Sequence, residues 1–242
     1  MKIGTLYGIG IGPGDPDLMT IKGAAILAAT GHVFVPKAGD KADSLALTIA
    51  RKHLNPKARI QEIVFPMTTD RAELDSRWIE AAKVVAEVLQ TGIDACFLTL
   101  GDAFLYSTYI YLVRSLRRLI PEVKIVTVPG ITAFSAAAAA AEFPVGEAKA
   151  PVTIVPTADD LTAVKDAVAT GGTVVLMKIG KRLGRVIEVL ESAGALDRSV
   201  LLAHVGMDDE LIETELSRLK GAAAEVGYMS IILVRGSLGG II

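Results

Sequence analysis

Cysteine, histidine and aromatic side chains are all scarce in this 242-residue chain. The one cysteine, Cys96, excludes an intramolecular disulfide and a cysteine-based zinc cage. The three histidines, His32, His53 and His204, are too scattered to suggest a ligand set, so no metal is expected. Aromatics make up 5% of the chain against 51% hydrophobic residues, and the apolar content therefore rests on Ala, Val, Ile and Leu. That balance suits buried parallel strands flanked by helices better than an all-β sandwich. No apolar run approaches the ~20 residues of a membrane span. The net charge of −2 supplies no dominant basic field for nucleic acid. The apolar opening after Lys2 is broken by glycines and ends at Asp15-Pro16. It reads as a first strand rather than an export signal, and a cytoplasmic location is expected.

What is present is an alternation of strand-like and helix-like segments. Strands are expected at Thr5–Ile11, Val33–Val35, Ile60–Phe65, Asp94–Thr99 and Val123–Val128. Between them fall helices at Thr20–Ala29, with Thr20 as N-cap, at Ser44–Leu54, from Asp70 to Gln90, and at Tyr106–Leu119. Asp70 and Glu73 form a capping-box-like pair, and Leu74, Trp78, Ala82, Val85 and Leu89 supply the apolar stripe behind it. The second half continues with helices at Ile131–Ala141, Leu161–Ala169 and Leu183–Ser192. Its strands fall at Val152–Val155, Thr173–Met177, Ser199–His204 and Met229–Val234. The expected fold class is α/β: two α/β domains with largely parallel sheets and an interdomain cleft. The expected division is 1–128 and 129–242.

Chemistry-bearing segments fall at the ends of these strands, where α/β folds place ligands. Gly8-Ile9-Gly10-Ile11-Gly12-Pro13-Gly14 lets a backbone approach a ligand closely. Its spacing fails the dinucleotide fingerprint, no Gly-Lys-Ser/Thr follows, and no acidic residue ends the second strand. A tight turn is the plain structural alternative. Leu100-Gly101-Asp102-Ala103-Phe104-Leu105-Tyr106-Ser107 follows a strong strand. Asp102 there either meets a ligand or caps the next helix. Pro129-Gly130-Ile131-Thr132 leads into Ala136–Ala141, a helix bare enough for a backbone or a flat ligand to lie against it. Met177-Lys178 and His204-Val205-Gly206-Met207 end two later strands; their methionines either flank a ligand or fill core. Lys178, Lys181, Arg182 and Arg185 form a basic cluster that either grips carboxylates or is a solvated helix face.

In their order along nearly the whole chain, Gly10–Thr20, Leu100-Gly101-Asp102 and Pro129-Gly130-Ile131-Thr132 resemble the signatures of the tetrapyrrole methylase family. The branch most resembled methylates carbon 20 of precorrin-2 or cobalt-factor II. The features behind this are Asp102–Tyr109, Phe134-Ser135, Val175–Lys178 and Gly206–Glu210. One departure is Ala103, where the family usually carries proline.

The resemblance implies methyl transfer from S-adenosylmethionine, with S-adenosylhomocysteine as product, and a homodimer. By matching positions, the cofactor site is expected to take Pro13, Leu100, Gly101, Asp102, Leu105, Tyr106, Thr132, Ala133, Met177 and Gly206. Tyr106, Asp102 and His204 are candidates for a base, and Lys37, Lys178, Lys181 and Arg182 for holding the substrate's carboxylate rim. The competing readings are methylation of another ring position or of a protein, as in diphthine synthesis, a nucleotide-dependent oxidoreductase, and a non-catalytic ligand-binding protein.

Overall fold

Parallel strands, all pointing the same way, form the first sheet in the computed structural model. The structure describes residues 2–37, 44–65, 70–157, 159–221, 226 and 229–237. In chain order the first unit, Met1–Thr132, runs β1 (Thr5–Gly10), α1 (Ile21–Ala29), β2 (His32–Lys37), α2 (Leu45–Ala50) and β3 (Arg59–Val64). It continues with α3 (Arg71–Gln90), β4 (Ala95–Thr99), α4 (Tyr109–Leu119) and β5 (Lys124–Val128). The sheet order is β3-β2-β4-β1-β5, every pairing parallel. Strand β4 is buried along its whole length, as a continuous apolar strand covered on both faces should be. All five carboxyl ends therefore lie on one edge of the sheet.

The helices start where short polar side chains accept orphan N–H groups. Thr20 Oγ1 accepts from Gly23 N at 3.1 Å to open α1, and Asp70 Oδ1 accepts from Glu73 N at 3.1 Å to open α3. Ala82, Val85 and Leu89 of α3 are fully buried beside Tyr109, Leu112 and Leu116 of α4. Each large side chain so buried contributes about 1.5–3 kcal/mol. Gly8 makes room for Tyr109: a Cβ there would sit 2.1 Å from the ring's Cζ. The Tyr109 hydroxyl shares a 2.9 Å hydrogen bond with Thr127 Oγ1. Burial pushes the Cys96 thiol up to about 11, so Cys96 is a core residue rather than a nucleophile.

The second unit, Ala133–Ile242, contains α5 (Ala133–Ala140), β6 (Val152–Pro156), α6 (Thr162–Ala169), β7 (Thr173–Met177) and α7 (Leu183–Ser192). Then come β8 (Ser199–Ala203), β9 (Leu211–Glu213) and β10 (Ser230–Val234). Its sheet order is β6-β7-β10-β8-β9. The expectation of largely parallel sheets holds for the first sheet and needs correction here. Among the described residues only β6 and β7 pair in parallel there; β10 is antiparallel to both β7 and β8, and β8 to β9. The βα rhythm does give β6, β7 and β8 a common direction. The last strand then enters between β7 and β8 from the opposite end. The alanine-rich α5 packs on β10, the close helix-on-sheet contact that its lack of side-chain bulk permits.

Three further differences have local causes. Helix α4 begins at Tyr109 rather than Tyr106, because Tyr106 adopts φ 51° and residues 102–107 form a hydrogen-bonded turn. Helix α2 is short and tightens into a 3₁₀ turn at Arg51–His53. Strand β9, three residues long, has too little pattern to be read from sequence. Among the described residues, no helix is long and apolar enough to cross a membrane.

Candidate functional site

Three glycine-bearing loops meet at the carboxyl edge of the first sheet. Beyond β1 and β4 the backbones remain tied: Ile11 N donates to Thr99 O at 3.0 Å, and Gly12 and Gly101 form an antiparallel bridge. Gly12 and Gly101 hold φ of 86° and 67°, left-handed values that glycine adopts freely. The loop after β5 presses against this bridge. A Cβ on Gly130 would lie 2.1 Å from Gly101 O and 2.7 Å from Gly10 C, and one on Gly10 would lie 2.5 Å from Gly130 N.

Asp102 locks the arrangement. Its Oδ2 accepts from Gly130 N at 3.1 Å and its Oδ1 from Phe104 N at 2.8 Å. One carboxylate thus joins the β4 loop to the β5 loop and shapes its own turn. It does not cap α4, whose N-cap is Thr108. The opening loop is held from outside by the Arg51–His53 turn. His53 Nε2 donates to Pro16 O at 3.0 Å, and Lys52 pairs with Asp17, holding that exposed carboxyl below the usual range.

The second sheet has a corresponding edge. Lys178 follows β7, His204 follows β8 and Met229 precedes β10, so all three lie at one end of neighbouring strands. All three are left-handed, with φ of 59°, 52° and 55°. Such a conformation costs a non-glycine residue roughly 1–3 kcal/mol and is found where the surroundings enforce it, often at functional sites. Thr157 donates both its N–H (2.7 Å) and its hydroxyl (2.8 Å) to Met177 O. Gly206 N donates to Glu210 Oε2 at 2.7 Å, and His204 Nδ1 lies 2.5 Å from Asp209 Oδ2.

Residues 5–220 match the family model described as Tetrapyrrole (Corrin/Porphyrin) Methylases. The chain belongs to the tetrapyrrole methylase family. It is 32% identical to a cobalt-precorrin-2 C(20)-methyltransferase of Salmonella typhimurium, over 96% of each chain. It is 28% identical to a precorrin-2 C(20)-methyltransferase of Sinorhizobium sp, over 97% of this chain and 96% of the other. The crystal structure of a cobalt precorrin-4 methyltransferase aligns with a TM-score of 0.75 at 25% identity, covering 98% of this chain and 96% of that one.

In this tetrapyrrole methylase, the first unit brings together seven of the expected cofactor contacts. Pro13 lies buried beside the Gly12–Gly101 bridge; Leu100, Gly101, Asp102, Leu105 and Tyr106 occupy the β4 loop; Thr132 lies two residues beyond Gly130. Ala133 opens α5, and Met177 and Gly206 lie on the edge of the second sheet. The four basic candidates divide. Lys37 is paired with Glu62 at 2.9 Å and Arg182 with Asp159 at 2.7 Å, whereas Lys178 and Lys181 have no carboxylate partner among the described residues. Partial burial of its amine lowers the pKa of Lys178 from the usual lysine value, although the residue as a whole remains accessible to water. A bound anion would offset that loss of solvation.

Several features escaped the reading of the sequence. The contact of Gly10 with Gly130 joins positions 120 residues apart, and the glycine-rich motifs themselves were its one visible signal. Thr157 and Met229 carry no motif. Asp209, five residues from His204, sits in a run of acidic residues that does not reveal which one turns back.

The fit of a cofactor is tested by charge and by where the helices begin. Residues 10–15, 100–106 and 129–132 contain two aspartates and no lysine or arginine. The glycine loop leads into a 3₁₀ turn at Pro16–Leu18, and α1 starts only at Ile21. A pyrophosphate seated on a helix N-terminus, the dinucleotide arrangement, therefore lacks its helix next to Gly12. A cofactor carrying positive sulfonium and ammonium groups fits this anionic, glycine-lined edge.

Proposed function

We propose that this chain transfers a methyl group from S-adenosylmethionine to carbon 20 of precorrin-2 or cobalt-factor II in cobalamin biosynthesis. The observation that carries the reading is the full-length similarity to C(20)-methyltransferases within the tetrapyrrole methylase family. The glycine loops, which carry two aspartates and no lysine or arginine of their own, support it, because they favour a positively charged cofactor over a dinucleotide. A homodimer in the cytoplasm completes the proposal.

When bound, the cofactor would supply an electrophilic methyl group on a sulfonium, so that a bond from the electron-rich ring carbon to the methyl would form as the methyl–sulfur bond breaks and S-adenosylhomocysteine leaves. The chain's task is alignment and the exclusion of water. Pro13, Leu100, Gly101, Leu105, Thr132 and Ala133 are assigned to holding the cofactor, with Tyr106, Met177 and Gly206 as further contacts. Asp102 is assigned a positioning role, since both its oxygens are committed to backbone N–H groups.

Replacing a ring hydrogen by methyl releases one proton. Of Tyr106, Asp102 and His204, the histidine suits its capture best. Its Nδ1 donates to Asp209, which fixes the ring and leaves Nε2 to accept the proton. Lys178 and Lys181, which have no carboxylate partner among the described residues, are assigned to substrate carboxylates ahead of Lys37 and Arg182.

Calorimetric titration separates this reading from its rivals. S-adenosylhomocysteine is expected to bind with micromolar or tighter affinity and NAD to give no heat beyond dilution. Binding of NAD without binding of S-adenosylhomocysteine would favour the oxidoreductase and overturn the proposal.

A further inference from the structure

Phe104 is 55% exposed, more than Tyr106 (40%) or Tyr111 (38%), although a phenylalanine has no polar group to gain from water. It does not sit on a loose tip. Asp102 Oδ1 accepts its N–H at 2.8 Å, and the preceding Ala103 is fully buried. Ser107 Oγ donates to Ala103 O at 2.6 Å and accepts from Tyr109 N at 3.1 Å, closing the turn onto the first turn of α4. The ring rests against the buried Tyr109 ring, with centroids 5.6 Å apart at 61°. Leu100, 37% exposed, and Tyr106 lie on the same loop. The chain thus holds an aromatic ring in solvent on a preorganised support, at the carboxyl edge of a parallel sheet and on the loop whose Asp102 ties down the glycine cradle.

We infer that Phe104 is a substrate-positioning residue whose ring face is the platform for the flat apolar face of the tetrapyrrole. The inference rests on the methyl-transfer reading above and deepens it. A reduced tetrapyrrole presents an apolar ring face and a rim of carboxylates. Residues 100–108 contain no cation and one acid, so this turn does not grip the rim. An aromatic face does match the ring, and stacking on a side chain already held in place costs little conformational entropy. The tie between Asp102 and Gly130 sets this platform at a fixed distance from the cradle assigned to the cofactor, as a reaction governed by alignment requires.

The test compares the wild type with Phe104→Ala, Phe104→Leu and Phe104→Trp. Its readouts are the KM for the ring and kcat, ring binding by absorbance titration without cofactor, S-adenosylhomocysteine affinity and Tm. Phe104→Ala is expected to raise both the KM and the ring dissociation constant about tenfold or more. The kcat at saturation should also fall, because a ring without its platform is less well aligned, whereas S-adenosylhomocysteine affinity and Tm should stay within about twofold and a degree or two of wild type. Phe104→Leu should fall between, and Phe104→Trp should restore ring affinity. Unchanged ring affinity in Phe104→Ala and Phe104→Leu overturns the inference. So does a loss confined to S-adenosylhomocysteine, which would make the ring an adenine support instead. If the wild type binds the ring but transfers no methyl, the proposed reaction falls while the platform is still judged by the titration.

Discussion

Replacing Gly130 by alanine is expected to lower Tm by roughly 6–12 °C and to abolish S-adenosylhomocysteine binding. The added Cβ would stand 2.1 Å from Gly101 O and within 2.8 Å of Gly10 C and Cα, closer than real Cβ contacts come. Every one of these atoms is backbone, so no side chain can swing away. Relief requires the loops after β1, β4 and β5 to part, breaking the Gly12–Gly101 bridge and the Asp102–Gly130 bond. Overpacking of this kind costs about 3 kcal/mol or more, and each kcal/mol shifts Tm by about 2–4 °C in a chain of this length. Gly184→Ala is the control. It lies in α7 with nothing within 4 Å of an added Cβ, so Tm should hold or rise slightly. Thermal melts and calorimetry on the two variants measure the contrast, and a Gly130→Ala protein melting with the wild type would show that the loops do not touch as described.

The second large effect is expected from Asp102→Ala: a loss of about 100-fold in S-adenosylhomocysteine affinity with a Tm decrease of only a few degrees. The substitution leaves Gly130 N and Phe104 N without their acceptor, and charge-assisted bonds of this type contribute about 1.5–3 kcal/mol each when shielded. The Phe104 bond is exposed and water replaces it in part, so most of the effect belongs to Gly130. Asp102→Asn keeps an uncharged acceptor and should lose about tenfold. The pH profile of the remaining activity tells position from proton transfer. A residue that only holds loops in place leaves the profile's shape intact when replaced; loss of a limb in Asp102→Asn would make Asp102 the base and displace His204.

The legible parts of this protein were those set by local rules. Thr20 and Asp70 open helices because each is a short acceptor three residues before an orphan N–H. The central strands of the first sheet read plainly because they are buried, β4 along its whole length. Long-range pairing was hidden. The entry of β10 between β7 and β8 depends on residues more than 25 positions apart, so the mixed second sheet could not be seen from the βα rhythm. The start of α4 was misplaced because the Asp102 turn and the left-handed Tyr106 outweigh the helical pattern of the segment. The four basic candidates looked alike until Glu62 and Asp159, both distant in sequence, claimed Lys37 and Arg182.

The most direct measurement is carbon NMR of the product after incubating the enzyme with S-adenosylmethionine bearing a ¹³C-labelled methyl group and, in parallel, with precorrin-2 and cobalt-factor II. The account predicts one new labelled methyl group per ring, attached at carbon 20, with one S-adenosylhomocysteine formed for each. Label at any other ring position, or none in either ring while a protein acceptor becomes labelled, would contradict it.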